Sequence, residues 1–322
     1  MEQKLLKVLI CDDDPADRKL VRKYLEKIPD REIVLLEAGH AEEIQDALDK
    51  GRIDLVLMDN QMPGKSGMEW LAEIVGRNLA PVVMLTGSGS EEIAVQALQE
   101  GAIGYLSKSA LSPEKLIRAI DTALDKWARL QQARADREQL ERLANFDPLT
   151  SLYNRQAILG KLRELINRAQ RYDEQLAVIM LDIDHFKKVN DCYGHLTGDD
   201  VLEKLANLIR ANIRSTDIAG RYGGEEFIIL LPHTDLLSAR VVAERLRKMV
   251  ENAEMKDSAG NTFCITVSQG ISSWEAGDDA YALISRADEA LYQAKKNGRN
   301  RVEMSFNPKI EGRLQTSNEL VE

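Results

Sequence analysis

Short apolar runs alternate with helix-length amphipathic stretches along the whole chain. In the first half the runs are Val8–Cys11, Ile33–Leu36, Leu55–Met58, Val82–Leu85 and Tyr105–Leu106, and helices start near Pro15, Ala41, Gly67, Glu91 and Pro113. The runs are rich in Val, Ile and Leu and lack polar alternation, the pattern of strands covered on both faces. Repeated strand–helix–strand order predicts a doubly wound, parallel-sheet α/β domain. In such a domain the site lies beyond the carboxyl ends of the strands.

The second half alternates again, with a hairpin in its middle. Strands are expected at Leu176–Leu181, Ile218–Tyr222, Phe227–Leu231, Thr262–Gly270 and Arg301–Met304, and helices at Arg155–Gln170, Asp199–Ile213, Leu237–Asn252 and Ala280–Lys296. Gly223-Gly224 between two apolar strands suits a turn needing positive φ. The pattern predicts an α/β sandwich with at least one antiparallel pair.

Between the halves, no Pro or Gly interrupts the chain from Pro113 to Pro148. Strong helix formers fill the stretch. Leu116, Ile120, Ala123, Trp127 and Leu130 follow a 4-3-4-3 spacing, that of a coiled-coil seam. The register slips at Ala133 and resumes through Arg137, Leu140 and Ala144. A dimeric helical stalk is the expectation, against a helix lying on its own domain.

Composition narrows the class. The 322 residues are 44% hydrophobic and 30% charged, a globular balance with room for two domains. No apolar run is long enough to span a bilayer, and the N-terminus lacks the pattern of a signal peptide, so a cytoplasmic protein without membrane insertion is expected. Three scattered cysteines, Cys11, Cys192 and Cys264, fit free thiols in a reducing compartment. The net charge of −10 argues against a nucleic-acid surface but leaves a nucleotide substrate open.

The polar residues at the strand ends carry the chemistry. Asp12, Asp13 and Asp14 follow the first run, Asp59 ends the third, Thr86 the fourth, and Lys108 follows the fifth. Converging carboxylates repel unless a cation joins them, and oxygen ligands suit Mg²⁺. With charge so neutralised, Asp59 can attack a phosphoryl group, which Lys108 and the Thr86 hydroxyl can then hold. In the second half, Asp182 and Asp184 follow one strand and Glu225 and Glu226 follow the glycine pair. If the strands are neighbours, Asp182 faces Glu225, and metals held there could serve a triphosphate.

The first half resembles the receiver domains of two-component response regulators, a flavodoxin-like fold, through VLICDDDP, LVLMDNQMPGKSG, VVMLTG and GYLSK. The resemblance implies Asp59 as phosphoacceptor for a sensor histidine kinase. It also implies Asp13, Asp59 and the Gln61 carbonyl as Mg²⁺ ligands supported by Asp12, with Thr86 and Tyr105 as the switch pair. Ser109 stands where that family usually has Pro, so the turn after Lys108 should differ.

The second half resembles the GGDEF family of diguanylate cyclases, with a sheet like a polymerase or nucleotidyl-cyclase palm. DPLTSLYNR, LDIDHFKKVNDCYGHLTGDDVL, RYGGEEF and AKKNGRN carry the likeness in that order. It implies condensation of two GTP into cyclic di-GMP by a homodimer. Asp182, the Ile183 carbonyl and Glu225 would hold Mg²⁺, and Glu225 or Glu226 would assist deprotonation of the 3′-hydroxyl. Asn190 and Asp199 would bind guanine; Lys187, Lys295 and Arg299 would hold phosphates, with Phe186 and its backbone neighbours forming the triphosphate loop. Arg214 and Asp217 match the RxxD product-inhibition site, with Arg245 a weaker member. His195 reads as structural in the nucleotide loop, and Ser151 replaces a usual Gly. The expected domains are a receiver at 1–125, a helical linker at 126–145, the GGDEF domain at 146–304 and a polar tail at 305–322. A binding-only relic would be expected to lose acids that are all present here. A transcription factor would need a basic recognition helix that the acidic second half lacks.

Overall fold

The computed structural model describes residues 5–27, 32–87, 91–257 and 259–305, so all of the expected tail beyond Ser305 lies outside the described residues. Within one long helix, between Arg137 and Glu138, the chain divides into two units.

The first unit runs β1 (Leu6–Cys11), α1 (Pro15–Leu25), β2 (Ile33–Ala38), α2 (Ala41–Lys50), β3 (Leu55–Asp59), α3 (Gly67–Gly76), β4 (Val82–Thr86), α4 (Glu91–Gln99), β5 (Gly104–Ser107) and the start of α5 (Pro113–Asn145). Its five strands are all parallel, in the order β2-β1-β3-β4-β5. Alternate residues of β3 feed two cores. Leu55 and Leu57 pack with Leu116 and Ile120, while Val56 and Met58 pack with Trp70 and Ile74. Both faces are covered, so β3 and β4 stay apolar until Asp59 and Thr86 at their ends. Asp14 caps α1, its side chain accepting from the Ala16 N–H, with Pro15 opening the helix.

Helix α5 is continuous over 33 residues, as expected from its composition. The seam reading needs correction over its first part. Leu116, Ile120 and Ala123 are buried in the first unit's core and Trp127 packs against it. A 4-3 spacing defines an apolar stripe without saying what the stripe meets. Leu130 and Leu140 are exposed.

The second unit comprises α6 (Arg155–Tyr172), β6 (Leu176–Ile183), α7 (Phe186–Tyr193), α8 (His195–Asn212), β7 (Ile218–Arg221), β8 (Glu226–Pro232), α9 (Leu236–Glu251), β9 (Met255–Lys256), β10 (Thr262–Phe263), β11 (Val267–Ser273), α10 (Ala280–Lys296) and β12 (Val302–Met304). The main sheet has the order β12-β11-β6-β8-β7. Its pairs are antiparallel except β11 with β12.

Three details depart from the sequence reading. The expected strand Thr262–Gly270 is two strands: β10 pairs with β9, whereas β11 joins the main sheet. Between them Ile265 is buried and the Thr266 carbonyl accepts from the Asp184 N–H at 2.9 Å. The segment between β6 and α8 contains a helix, α7, and α8 begins at His195 rather than Asp199. Neither Gly223 nor Gly224 has positive φ. A Cβ at Gly223 would meet only the end of the Glu226 side chain, which can swing aside.

Alternation along β6 places the acids. Ala177, Ile179 and Leu181 face one core, and Leu176, Val178 and Met180 the other. That second core is covered by Ile158 and Leu162 of α6 and by Leu283, Ala287 and Leu291 of α10. Asp182, in phase with Met180, continues the same face.

Candidate functional site

At the carboxyl ends of β1 and β3, Asp12, Asp13 and Asp59 bring carboxylate oxygens within 4.8 Å of one another. Among the described residues this is the only group of three acidic, His or Cys side chains so close. Asp12 and Asp59 are buried and Asp13 is exposed, so the three consecutive acids are sorted by the turn: buried Asp12, exposed Asp13, and Asp14 as helix cap. Lys108 reaches Asp12 at 2.7 Å, Asp17 at 2.8 Å and Asp59 at 3.2 Å. Burial raises the pKa of Asp12 and Asp59, and Lys108 pulls each partly back. Burial would lower Lys108, but its three carboxylates hold it well above the ordinary ammonium range. The Gln61 N–H donates to Asp59 Oδ2 at 3.2 Å.

Thr86 is buried, and Tyr105, on the neighbouring strand, is half exposed. Ser109 lies in a 3-10 turn over Lys108–Ala110, its hydroxyl 2.9 Å from that of Ser107. Asp17 had no part in the sequence reading. It lies in the first turn of α1, which directly follows the run of three acids, and that place was the available signal.

The second site lies where β6 and β8 lose their helical cover. The register pairs Asp182 with Glu226, not with Glu225 as expected from the sequence. Paired residues share a face, with Cβ atoms roughly 5 Å apart. Glu225 sits just beyond the strand, its carbonyl accepting from the Ile183 N–H at 3.4 Å. Burial raises the pKa of Asp182, with Lys295 opposing. Burial, then the charge of Asp182, raises Glu225 and Glu226. Lys295, one turn beyond buried Leu291 on α10, reaches Asp182 at 2.8 Å. Arg299 is exposed but close enough that its charge favours ionised Asp182. These residues therefore gather in one place.

Asn190 and Asp199 form a neighbouring group. Gly198 on α8 is buried, and a Cβ there would collide with the Asn190 side-chain oxygen. Thus Asn190 on α7 lies against the residue preceding exposed Asp199. Lys187 is exposed on α7, whereas the Phe186 side chain is buried in the core. Arg214 and Asp217 close a turn, the Arg214 N–H donating to Asp217 Oδ2 at 2.8 Å. Arg245 donates to the Asn212 carbonyl at 2.6 Å, which brings all three to one neighbourhood away from the acids.

Sequence reasoning missed a support that runs through Arg221. Its Nη1 donates to the Asp147 carboxylate at 3.3 Å and its Nη2 to the Gly224 carbonyl at 2.7 Å. Asp147 also accepts from the Thr150 N–H and hydroxyl. Burial pushes its carboxyl up, but Thr150 and Arg221 more than offset this and hold it below the usual range. The same loop contains Ser151 at φ 54°, the left-handed region its usual glycine would favour.

The family model described as "Diguanylate cyclase, GGDEF domain" matches residues 144–301, and that of the "Response regulator receiver domain" matches residues 8–121. The response regulator PleD of Caulobacter vibrioides is 34% identical over 257 residues, 78% of this chain and 56% of PleD. Diguanylate cyclase VdcA of Vibrio cholerae is 44% identical over 171 residues, 52% of this chain and 49% of VdcA. The chain thus spans about half the length of these curated relatives. The coiled coil and GGDEF domain of DgcB from Caulobacter crescentus, solved in complex with c-di-GMP, is 35% identical with a TM-score of 0.54. That match covers 56% of this chain and 95% of the DgcB chain. Family models on both units and this near-complete overlap with a solved relative agree with the geometry: the chain belongs to the GGDEF family and carries a response-regulator receiver domain ahead of its GGDEF domain.

Proposed function

We propose that the chain is a phosphorylation-controlled diguanylate cyclase that converts two GTP into cyclic di-GMP and two pyrophosphates. The observation that carries this reading is the convergence of Asp182, Glu225 and Glu226 with Lys295 at the open end of one strand pair. Buried, mutually repelling carboxylates with raised pKa values suit a hard cation. Asp182, the Ile183 carbonyl and Glu225 would hold Mg²⁺ there. When bound, Mg²⁺ neutralises triphosphate charge and lowers the pKa of the attacking hydroxyl.

The chain's own residues supply the rest. Lys187, Lys295 and Arg299 hold phosphate oxygens, and backbone at Phe186 lines the triphosphate. Asn190 and Asp199 face the guanine edge, where a carboxylate matches the N1–H and N2 amine. Glu225 or Glu226 takes the 3′-hydroxyl proton. Each domain holds one GTP, so two copies must meet as a homodimer. The 3′-oxygen of one nucleotide then forms a bond to the α-phosphorus of the other, and pyrophosphate leaves. Repetition in the opposite sense closes the ring.

In the receiver, Asp59 accepts the phosphoryl group from a sensor histidine kinase. Asp12, Asp13 and the Gln61 carbonyl would join Asp59 around Mg²⁺, and three carboxylates within 4.8 Å fit such an ion. Lys108 and Thr86 hold the phosphoryl oxygens, and Tyr105 responds with Thr86. The linker at 126–145 provides helix pairing through residues such as Leu130 and Leu140. Product bound at Arg214, Asp217 and Arg245 holds the domains apart. Among the described residues no helix is long and apolar enough to cross a membrane.

The test is incubation of purified chain with GTP and Mg²⁺, with and without a small phosphodonor. Cyclic di-GMP that increases with the donor is expected. Absence of the dinucleotide under both conditions would overturn the cyclase reading, and ATP turnover equal to GTP would overturn the guanine assignment.

A further inference from the structure

Asp182 and Asp184 are two positions apart and follow the same apolar run, yet only Asp182 was read as a metal ligand from the sequence. Their surroundings differ. Asp184 is buried, and its oxygens already accept three hydrogen bonds. Oδ1 accepts from the Ser268 hydroxyl at 2.7 Å; Oδ2 accepts from the Thr266 hydroxyl at 2.7 Å and the Asn300 N–H at 3.0 Å. A buried carboxylate so satisfied is held by its donors.

Asn300 ends a turn of three successive residues with positive φ: Gly298 at 114°, Arg299 at 63° and Asn300 at 46°. Glycine adopts this region freely, but left-handed backbone is disfavoured at a residue such as Arg299. Such a turn persists only where its surroundings fix it. Here the Arg299 N–H donates to the Ala294 carbonyl at 3.0 Å and the Asn300 N–H to Asp184. The Asn300 side chain accepts from Arg247 at 2.8 Å and donates to Glu251 at 2.7 Å. The turn follows directly on α10, whose Lys295 reaches Asp182.

We infer that Asp184 is a positioning residue rather than a metal ligand: it fastens the Gly298–Asn300 turn and thereby sets the Arg299 guanidinium where a nucleoside triphosphate can meet it. The inference rests on the cyclase reading for its ligand, but not for its geometry. All three donors to Asp184 belong to the chain itself, so its removal displaces Arg299 and leaves the Asp182 site its own ligands.

The experiment compares Asp184→Ala and the milder Asp184→Asn with wild type in the full chain. It reads hydrogen exchange at the Asn300 amide, affinity for a non-hydrolysable GTP analogue, and the Mg²⁺ concentration for half-maximal turnover. Losing a charged, buried acceptor should speed Asn300 exchange and weaken the analogue by roughly tenfold or more each, with Asp184→Asn recovering part of both. The Mg²⁺ midpoint should stay within about twofold of wild type, and in an Arg299→Ala background the Asp184→Ala effect on affinity should shrink to under about twofold. The inference is overturned by unchanged Asn300 exchange, by a Mg²⁺ midpoint shifted as in Asp182→Asn, or by independent effects of Asp184→Ala and Arg299→Ala. Failure of the cyclase reading looks different: wild type itself would not bind the analogue, while Asn300 exchange would still decide whether Asp184 fastens the turn.

Discussion

The two acidic sites answer the same electrostatic problem in different ways. In the receiver, parallel strands end side by side, and one lysine spans Asp12, Asp17 and Asp59. In the GGDEF domain, antiparallel β6 and β8 present Asp182 and Glu226 on one face, and Lys295 reaches Asp182. The receiver site is tighter, with three carboxylates within 4.8 Å and a lysine only 22% exposed. The GGDEF site is looser and its lysine 34% exposed. Under the proposed function, the receiver site needs room for one phosphoryl group, whereas the GGDEF site must admit a nucleotide and a second copy of the chain. The difference is one of what has to enter.

The strongest way to break this comparison is to disable each site alone. Asp59→Asn should abolish labelling by a small phosphodonor. Asp182→Asn should cut turnover by roughly a hundredfold or more, the scale of losing one charge-stabilising group, with Asp59 labelling intact. Loss of labelling in Asp182→Asn, with its thermal transition preserved, would show that the sites are not separable.

Next in size is the role of each lysine. In chelator, Lys108→Ala should lower receiver stability by roughly 2–3 kcal/mol, since it leaves buried carboxylates uncompensated. Lys295→Ala should cost less, about 1–2 kcal/mol, because the lysine is more exposed and leaves only one buried carboxylate, Asp182, uncompensated. Denaturant titration with and without Mg²⁺ checks both, and equal losses would erase the distinction drawn here.

Acidity sharpens it further. Asp59 has a folded-state pKa raised above its unfolded value, so the folded receiver binds this proton more tightly. Its burden on stability is full above the raised pKa and fades as pH falls through it toward the ordinary carboxylate range. Asp59→Asn in chelator should therefore melt higher than wild type at neutral pH, with the gap closing on acidification. Asp147 runs the other way, its lowered pKa giving stability that is present above the ordinary range and lost in stronger acid.

The smallest effect concerns the two serines that depart from their families' patterns. Ser151→Gly relieves a left-handed residue and should stabilise the GGDEF domain by about 0.4–1 kcal/mol. Ser109 is not among the residues with positive φ, so Ser109→Gly should lose a similar amount. Paired thermal melts decide it.

Strand ends were legible because a two-face-buried strand turns polar only where it stops: Asp59, Thr86 and Asp182 each follow an apolar run. Partners were less legible. The pair of glycines suggested positive φ, but neither Gly223 nor Gly224 adopts it. Asp184 follows the same apolar run as Asp182, but the Thr266 and Ser268 hydroxyls occupy its carboxylate. Helix α7 escaped notice because it is short and mostly polar, with buried Phe186 and Val189 its only core anchors. The stripe from Leu116 to Trp127 had the right spacing for a coiled coil and belongs to the receiver core, since periodicity names a face and not what covers it.

Arg221 has a consequence for motion. One planar guanidinium is bonded at once to Asp147, in the loop that opens the GGDEF domain, and to the Gly224 carbonyl in its glycine turn. Two surface loops so joined cannot fluctuate independently: a displacement of one stretches the bonds to the other or breaks them. A lysine, with a compact ammonium in place of a rigid fork, could not hold both at these separations. The opening loop and the glycine turn are therefore coupled through one side chain, and loosening either should loosen the other.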